Sequence, residues 1–206
     1  FNYKNKKNIK KIEKIKCLIP TQALEGDISP DVLQDFQLII SKLKKNNIDF
    51  EMKRLDCWSP GYHRRSLLKI IENEGAQNFN ELINNNKSKI TINLRNNLLF
   101  GKNITDETIK TLKHDLKDLK KRIVSTFEEY DLIITPTTPQ NSFNISNKTP
   151  ENQANFTSLA NIADLPSLCL PFYCKNKQPS SLQLISSNMN DEFLIKISSF
   201  FEKILQ

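Results

Sequence analysis

The sequence predicts an α/β domain in which a sheet is flanked by helices, and three observations carry that expectation. An apolar run, a helical-period segment and an alternating segment follow one another over residues 15–55, the order of a crossover unit on a mostly parallel sheet. Residues 62–127 then keep a helical period with polar breaks, and short apolar strands punctuated by proline return after residue 130. No interior linker separates these parts, so residues 15–206 read as one unit behind a basic tail over residues 1–14.

Taken in order, Ile15 to Ile19 is a buried strand stopped by Pro20. Ser29 can cap a helix with Pro30 in its first turn and Asp31 beside the positive end of its dipole. Val32, Phe36, Ile39 and Leu43 repeat at helical spacing until Asn46 and Asn47 end it. Ile48 to Leu55 alternates apolar and polar residues like a strand. Within residues 62–127 the breaks fall at Asn84 to Asn86 and at Gly101 to Asn103. The last helix, capped by Thr105, carries Ile109, Leu112, Leu116, Leu119, Ile123 and Phe127 as one apolar stripe that faces a core. Leu132 to Ile134 is a short buried strand running into Thr135-Pro136-Thr137-Thr138-Pro139, where the prolines force an extended exit. A polar loop from Gln140 to Asn155 precedes a short helix around Phe156 to Ile162. Strands at Leu168 to Phe172 and Leu182 to Ile185 follow, and Phe193, Ile197, Phe200 and Ile204 mark a closing amphipathic helix.

Composition excludes several classes. With 206 residues, 38% hydrophobic and 26% charged, the chain has ordinary globular material, and no apolar run approaches the roughly 18 residues a bilayer needs. The amino end is rich in lysine without the hydrophobic stretch of a secretory signal, so a cytoplasmic protein is expected. The formal charge of +7 sits almost wholly in the first 16 residues, which hold seven Lys and one Glu. The other 190 residues have 30 − 7 = 23 basic against 23 − 1 = 22 acidic side chains, so nucleic acid is not an expected partner. The four glycines, Gly26, Gly61, Gly75 and Gly101, are never adjacent, which leaves no glycine-rich phosphate cradle and no nucleophile elbow. Four cysteines without C-x-x-C and two histidines without H-E-x-x-H make neither a metal site nor a cofactor an expectation.

Three segments, in order, resemble the carboxyl-terminal part of amidase signature enzymes. They are Tyr130-Asp131-Leu132-Ile133-Ile134-Thr135-Pro136-Thr137-Thr138-Pro139, Asn161-Ile162-Ala163-Asp164-Leu165-Pro166-Ser167-Leu168-Cys169-Leu170-Pro171, and Pro179-Ser180-Ser181-Leu182-Gln183-Leu184-Ile185. The last is followed by the Asp191-Glu192 pair and closing helix typical of the family, and upstream Glu72, Leu94-Arg95 and Gly101 agree with it in order. The similarity covers roughly residues 14–206.

The resemblance implies an incomplete α/β/α fold around a mixed sheet, and hydrolysis or transfer of an amide nitrogen. Family catalysis uses a Ser nucleophile, a bridging Ser and a Lys base, the serines lying in a Gly-Gly-Ser-Ser-Gly-Gly-Ser-like loop. Burial keeps such a lysine neutral enough to accept a proton, and the loop amides hold the oxyanion. The family places these elements before the segments matched here, and four isolated glycines cannot build them, so no catalytic residue is expected in this chain. Ser180-Ser181, without a glycine loop around it, is not a substitute.

Thr137, Thr157 and Asn161 fall in segments that lie near the family pocket and are the candidate substrate-binding residues, although such groups commonly satisfy nearby backbone. Trp58, His63, Arg64 and Arg65 form another cluster, read as arginines at a helix start laying their stems on apolar surface. Asp164 and Lys177 stand where the family usually has Gly. Ala154 stands where tRNA-dependent glutamine amidotransferases carry an Asp, which argues against that subclass. The expected function is that of the carboxyl-terminal part of an amidase-family hydrolase. It would supply sheet and pocket wall, with the missing amino-terminal half or another chain as partner and a small amide as substrate only once completed. The alternative is a decayed or repurposed, non-catalytic remnant that binds a partner.

Overall fold

A computed structural model describes residues 15–46, 48–85, 90–172 and 178–205; the basic tail over residues 1–14, Cys174 and Lys177 lie outside the described residues. Among the described residues five strands, β1 (Ile15–Pro20), β2 (Ile48–Lys53), β3 (Leu132–Pro136), β4 (Ser167–Phe172) and β5 (Ser180–Ile185), form one sheet in the order β2-β1-β3-β5-β4. β1 runs parallel to β2 and β3, whereas β5 is antiparallel to β3 and β4, so the sheet is mixed. The helices are α1 (Pro30–Lys44), α2 (Pro60–Asn78), α3 (Asn80–Asn84), α4 (Ile92–Lys102), α5 (Asp106–Thr126), α6 (Ser158–Ala163) and α7 (Asp191–Leu205).

The central strands read as unbroken apolar runs because both of their faces are covered: β3 is buried at every residue and β1 at all but Lys16. Alternate residues feed two cores. Leu18, Ile133 and Ile185 pack with Ile70 of α2, the Ile109–Ile123 stripe of α5 and Leu159 and Ile162 of α6. Cys17, Ile19, Leu132, Ile134, Leu182 and Leu184 pack on the other face with Phe36, Ile39 and Leu43 of α1 and Leu194, Ile197 and Phe201 of α7. The result is the three-layer α/β/α arrangement that the resemblance implies.

The caps form as expected: Ser29 Oγ accepts from Val32 N–H at 3.4 Å and Thr105 Oγ1 from Thr108 N–H at 3.3 Å. Several boundaries shift by a residue or two from the sequence expectation, as where β4 begins at Ser167, β5 at Ser180 and α6 at Ser158. β2 ends at Lys53 rather than Leu55, because Leu55 N–H donates instead to Gln22 Oε1 at 3.1 Å and is drawn out of the ladder. The expected break at Gly101 to Asn103 falls where α4 gives way to α5, with Gly101 in the last turn of α4, where a Cβ would meet the backbone of α2 at Glu72 and Asn73.

Candidate functional site

From β1 the chain crosses through α1 to β2 on one side, then returns through α2 to α5 to β3 on the other. Connections that diverge in this way leave a crevice outside the carboxyl ends of the two strands, the position where open α/β sheets bind ligands. Here its walls are the turn after β1, with Gln22, and the segment after β3, residues 137–140. Gln22 is fastened there, its amide donating to Trp58 O at 3.1 Å and to Leu55 O.

Register places a polar row beside this crevice. On the face that packs against α2, α5 and α6, Cys169, Gln183 and Thr135 stand side by side across β4, β5 and β3. Two residues further along are Pro171, Ser181 and Thr137, with Thr137 N–H donating to Ser181 O at 3.0 Å. The row before them, Ile185 beside Ile133, is apolar, so this face turns from oily to polar toward the end of β3. Thr135 and Gln183 are 0% and 1% exposed. Even so, Thr135 Oγ1, Thr137 Oγ1, Trp58 Nε1 and both amide atoms of Gln183 and Gln140 have no hydrogen-bond partner among the described residues. A buried polar group without a partner costs about 1–3 kcal/mol, so this concentration asks for groups from outside the described fold.

Of the three candidate residues, Thr137 belongs to this row. Thr157 is half-buried in the turn before α6, and its side chain does not cap that helix. Asn161 is exposed on α6 and lines a cavity of about 270 Å³ with Asp164, Pro166, Asn188, Met189 and Asp191. Neither threonine lines that cavity, so it does not gather the three residues. Asp164 adopts a left-handed backbone (φ 52°), which accounts for glycine being usual there, and it forms an ion pair with Lys120.

A second cavity, of about 340 Å³, opens between the turn after β1 and the start of α2, with Gln22, Arg64, Arg65, Glu151 and Asn155 in its wall. Arg64 Nε donates to Asn155 Oδ1 at 2.9 Å, and partial burial holds its pKa below the usual value. His63 is buried. Its Nδ1 accepts Ser59 N–H at 2.9 Å, and burial lowers its pKa, so the ring is held neutral. Trp58, 2% exposed, meets Phe156 edge-on at 6.5 Å and belongs to the core. Of that sequence cluster only the two arginines face a cavity. Ser180 Oγ donates to the buried Asp35 carboxylate at 2.9 Å.

Among the described residues no cluster of His, Cys, Asp or Glu could hold a metal ion, and no helix is long and apolar enough to cross a membrane. Sequence reading reached Thr137 but missed Thr135 and Gln183. Their signal was a lone polar residue at an alternating position inside an otherwise apolar strand.

The sequence matches the Amidase family model over residues 3–195. A glutamyl-tRNA(Gln) amidotransferase subunit of Legionella pneumophila subsp. pneumophila (strain Philadelphia 1) is 22% identical over 219 residues, which cover 93% of this chain and 45% of that protein. A crystal structure of an amidase shares the fold with a TM-score of 0.85 at 16% identity, over 96% of this chain and 47% of its own. A bacterial aryl acylamidase of the amidase signature enzymes does so with a TM-score of 0.78 at 13% identity, over 94% and 44%. The chain therefore spans about half the length of the proteins it matches. The subclass that Ala154 argues against is represented among these relatives.

Proposed function

The chain belongs to the Amidase family, and from that premise we propose that it is the carboxyl-terminal portion of an amide C–N hydrolase, supplying sheet and one wall of the substrate pocket. The observation that carries this reading is the asymmetry of coverage, 93% of this chain against 45% of the Legionella relative. The nucleophile and its proton acceptor then come from polypeptide outside this sequence, since four scattered glycines and a Ser180 hydroxyl already given to Asp35 build no such loop. In the completed pocket this chain binds and orients. Thr137 Oγ1, Thr135 Oγ1 and the Gln183 amide offer donors and acceptors to the substrate amide or to the loop that attacks it, with Thr157 and Asn161 as further contacts. The free thiols among the described residues, Cys17, Cys57 and Cys169, fit a reducing compartment, and a cytoplasmic protein is the reading they support.

The test is hydrolysis of a simple anilide. The purified chain is expected to be inert, and supplying the rest of an amidase polypeptide in trans is expected to produce turnover that Thr137→Val lowers. Turnover by the chain alone, lost in a Ser180→Ala, Ser181→Ala variant, would overturn the reading. One observation favours a non-catalytic, partner-binding remnant instead: Leu68, Ile71, Ile92 and Phe100 on α2 and α4 are 42%, 54%, 67% and 53% exposed. Binding in trans without any hydrolysis would select that alternative.

A further inference from the structure

The cavity between the turn after β1 and the start of α2 is walled by charge that the described residues do not balance. Glu25 pairs with Arg54 at 2.8 Å and Glu151 with Lys148 at 3.1 Å, which leaves Asp27 as the one lining carboxylate without an ion pair among the described residues. Against it stand two guanidiniums. Neither Arg64 nor Arg65 makes an ion pair with a described residue, and the charge of Arg65 bears on Arg64.

Asn155 Oδ1 takes the Nε–H of Arg64 at 2.9 Å, which fixes the guanidinium in place. Its terminal nitrogens, Nη1 and Nη2, have no hydrogen-bond partner among the described residues. That free edge presents two parallel N–H groups, the fork that a carboxylate accepts on both oxygens. Other guanidiniums are already engaged, Arg54 by Glu25 and Arg95 by Ile83 O and Asn85 O. Burial, together with the like charge of Arg65, holds the Arg64 pKa below its usual value, so the cation is poorly solvated where it stands. An anion in the cavity relieves both effects. The cavity also meets the amino end of α2 at Pro60 and Gly61, where the Ser59 side chain gives no cap, so the positive end of a 19-residue helix adds to the attraction. Gln22 walls both this cavity and the crevice beside β3. A small ligand can thus lie with its amide in the crevice and its other end beside Arg64.

Resting on the reading that this chain is one wall of an amide-hydrolase pocket, we propose that Arg64 is a specificity-determining residue that selects amides whose acyl part carries a carboxylate. Its two Nη groups hold both carboxylate oxygens, and the exposed Arg65 adds a second positive charge.

The probes are the anilide of succinic acid, which ends in a carboxylate, and the anilide of butyric acid, which ends in a methyl group at nearly the same length. Binding to the 206-residue chain is followed by NMR, with the Arg64 Nε–H as reporter. The succinic anilide is expected to bind about 10-fold tighter than the butyric one and to shift that resonance. Arg64→Gln, and Arg64→Lys, which keeps the charge but loses the fork, are each expected to weaken the succinic anilide about 10-fold and leave the butyric anilide unchanged. Equal affinity of the parent chain for the two anilides overturns the proposal, as does an Arg64→Gln variant that melts like the parent and keeps the preference. Inorganic phosphate that displaces the succinic anilide more effectively than acetate does overturns it in favour of a phosphate site. Hydrolysis is read separately, with the rest of an amidase polypeptide supplied in trans, and a preference for the succinic anilide that lies in KM and disappears in Arg64→Gln is expected. Turnover of both anilides at equal kcat/KM overturns the proposal and leaves the amide-hydrolase reading, whereas selective binding without turnover leaves the carboxylate site and sinks that reading.

Discussion

Replacing Gly101 by alanine tests how closely α2 and α4 cross. A Cβ at this position would stand 2.6 Å from Asn73 N and closer still to the carbonyl carbon and oxygen of Glu72. All three are helix backbone and cannot rotate aside, so the crossing has to open. Overpacking of this kind costs about 1–3 kcal/mol. Opening also breaks the bond that Asn73 Nδ2 donates to Gly101 O at 3.0 Å, and Asn73 is 6% exposed. Leaving that amide buried without its partner adds about 1–3 kcal/mol, while the better helix propensity of alanine returns about 1 kcal/mol. The net loss is about 3 kcal/mol, which urea unfolding at 25 °C should read as a midpoint lowered by roughly 1 M. Gly75→Ala is the control. Its Cβ would stand 2.9 Å from Leu98 Cδ2, the end of a side chain that can turn away, and the expected change is within about 1 kcal/mol. Equal midpoint shifts in the two variants would refute the reasoning, because they would mean that the backbone contact at Gly101 imposes nothing a flexible side chain does not.

Three further outcomes are expected. Gln183→Leu combined with Thr135→Val removes polar atoms that lack partners within the described fold, and should raise the melting temperature of the isolated chain by about 2–6 °C in a circular dichroism melt; a fall would show those atoms to be satisfied. Ser180→Ala deletes a bond to a buried carboxylate and should cost about 1–3 kcal/mol in chemical denaturation while leaving reconstituted hydrolysis intact; lost turnover in a folded variant would contradict the assignment. His63 has its pKa lowered by burial, so the folded state prefers the neutral ring. Its contribution is complete above the ordinary value of 6.5 and lost as pH falls below it toward the lowered folded value. Stability should therefore decline from about pH 7.5 to about pH 5, less steeply in His63→Gln, and identical slopes in the two proteins would sink this account.

The strands and the long helices are legible because each follows a local rule: two-sided burial for β1 and β3, a capped apolar stripe for α5, a Ser-Pro-Asp start for α1. The features that escape the sequence share a different cause. A glycine at a helix end, as at Gly101, reads locally as a terminator, and that it also admits a second helix shows only in the position of Glu72. Leu55 continues the alternation of β2, yet the amide that removes it from the ladder, Gln22, is 33 residues away in sequence. Thr135 and Gln183 sit in apolar runs where periodicity marks them as inward-facing. Which neighbours they meet depends on register between strands about 50 residues apart, information that no single segment holds.

The same separation explains how a chain about half the length of the proteins it matches specifies its own fold. Both faces of β1 and β3 are covered by helices that this chain itself provides, so the two main cores close without outside help. Among the described residues, what is left open includes the outer edge of β4, its exposed face, and the buried atoms of Gln183, Gln140, Thr135 and Thr137, while Trp58 Nε1 and Tyr130 Oη, the latter ahead of β3, also lack a partner. The open polar groups therefore gather mostly, though not wholly, toward the carboxyl end of β3 on one face, the end that the crevice between β1 and β3 occupies.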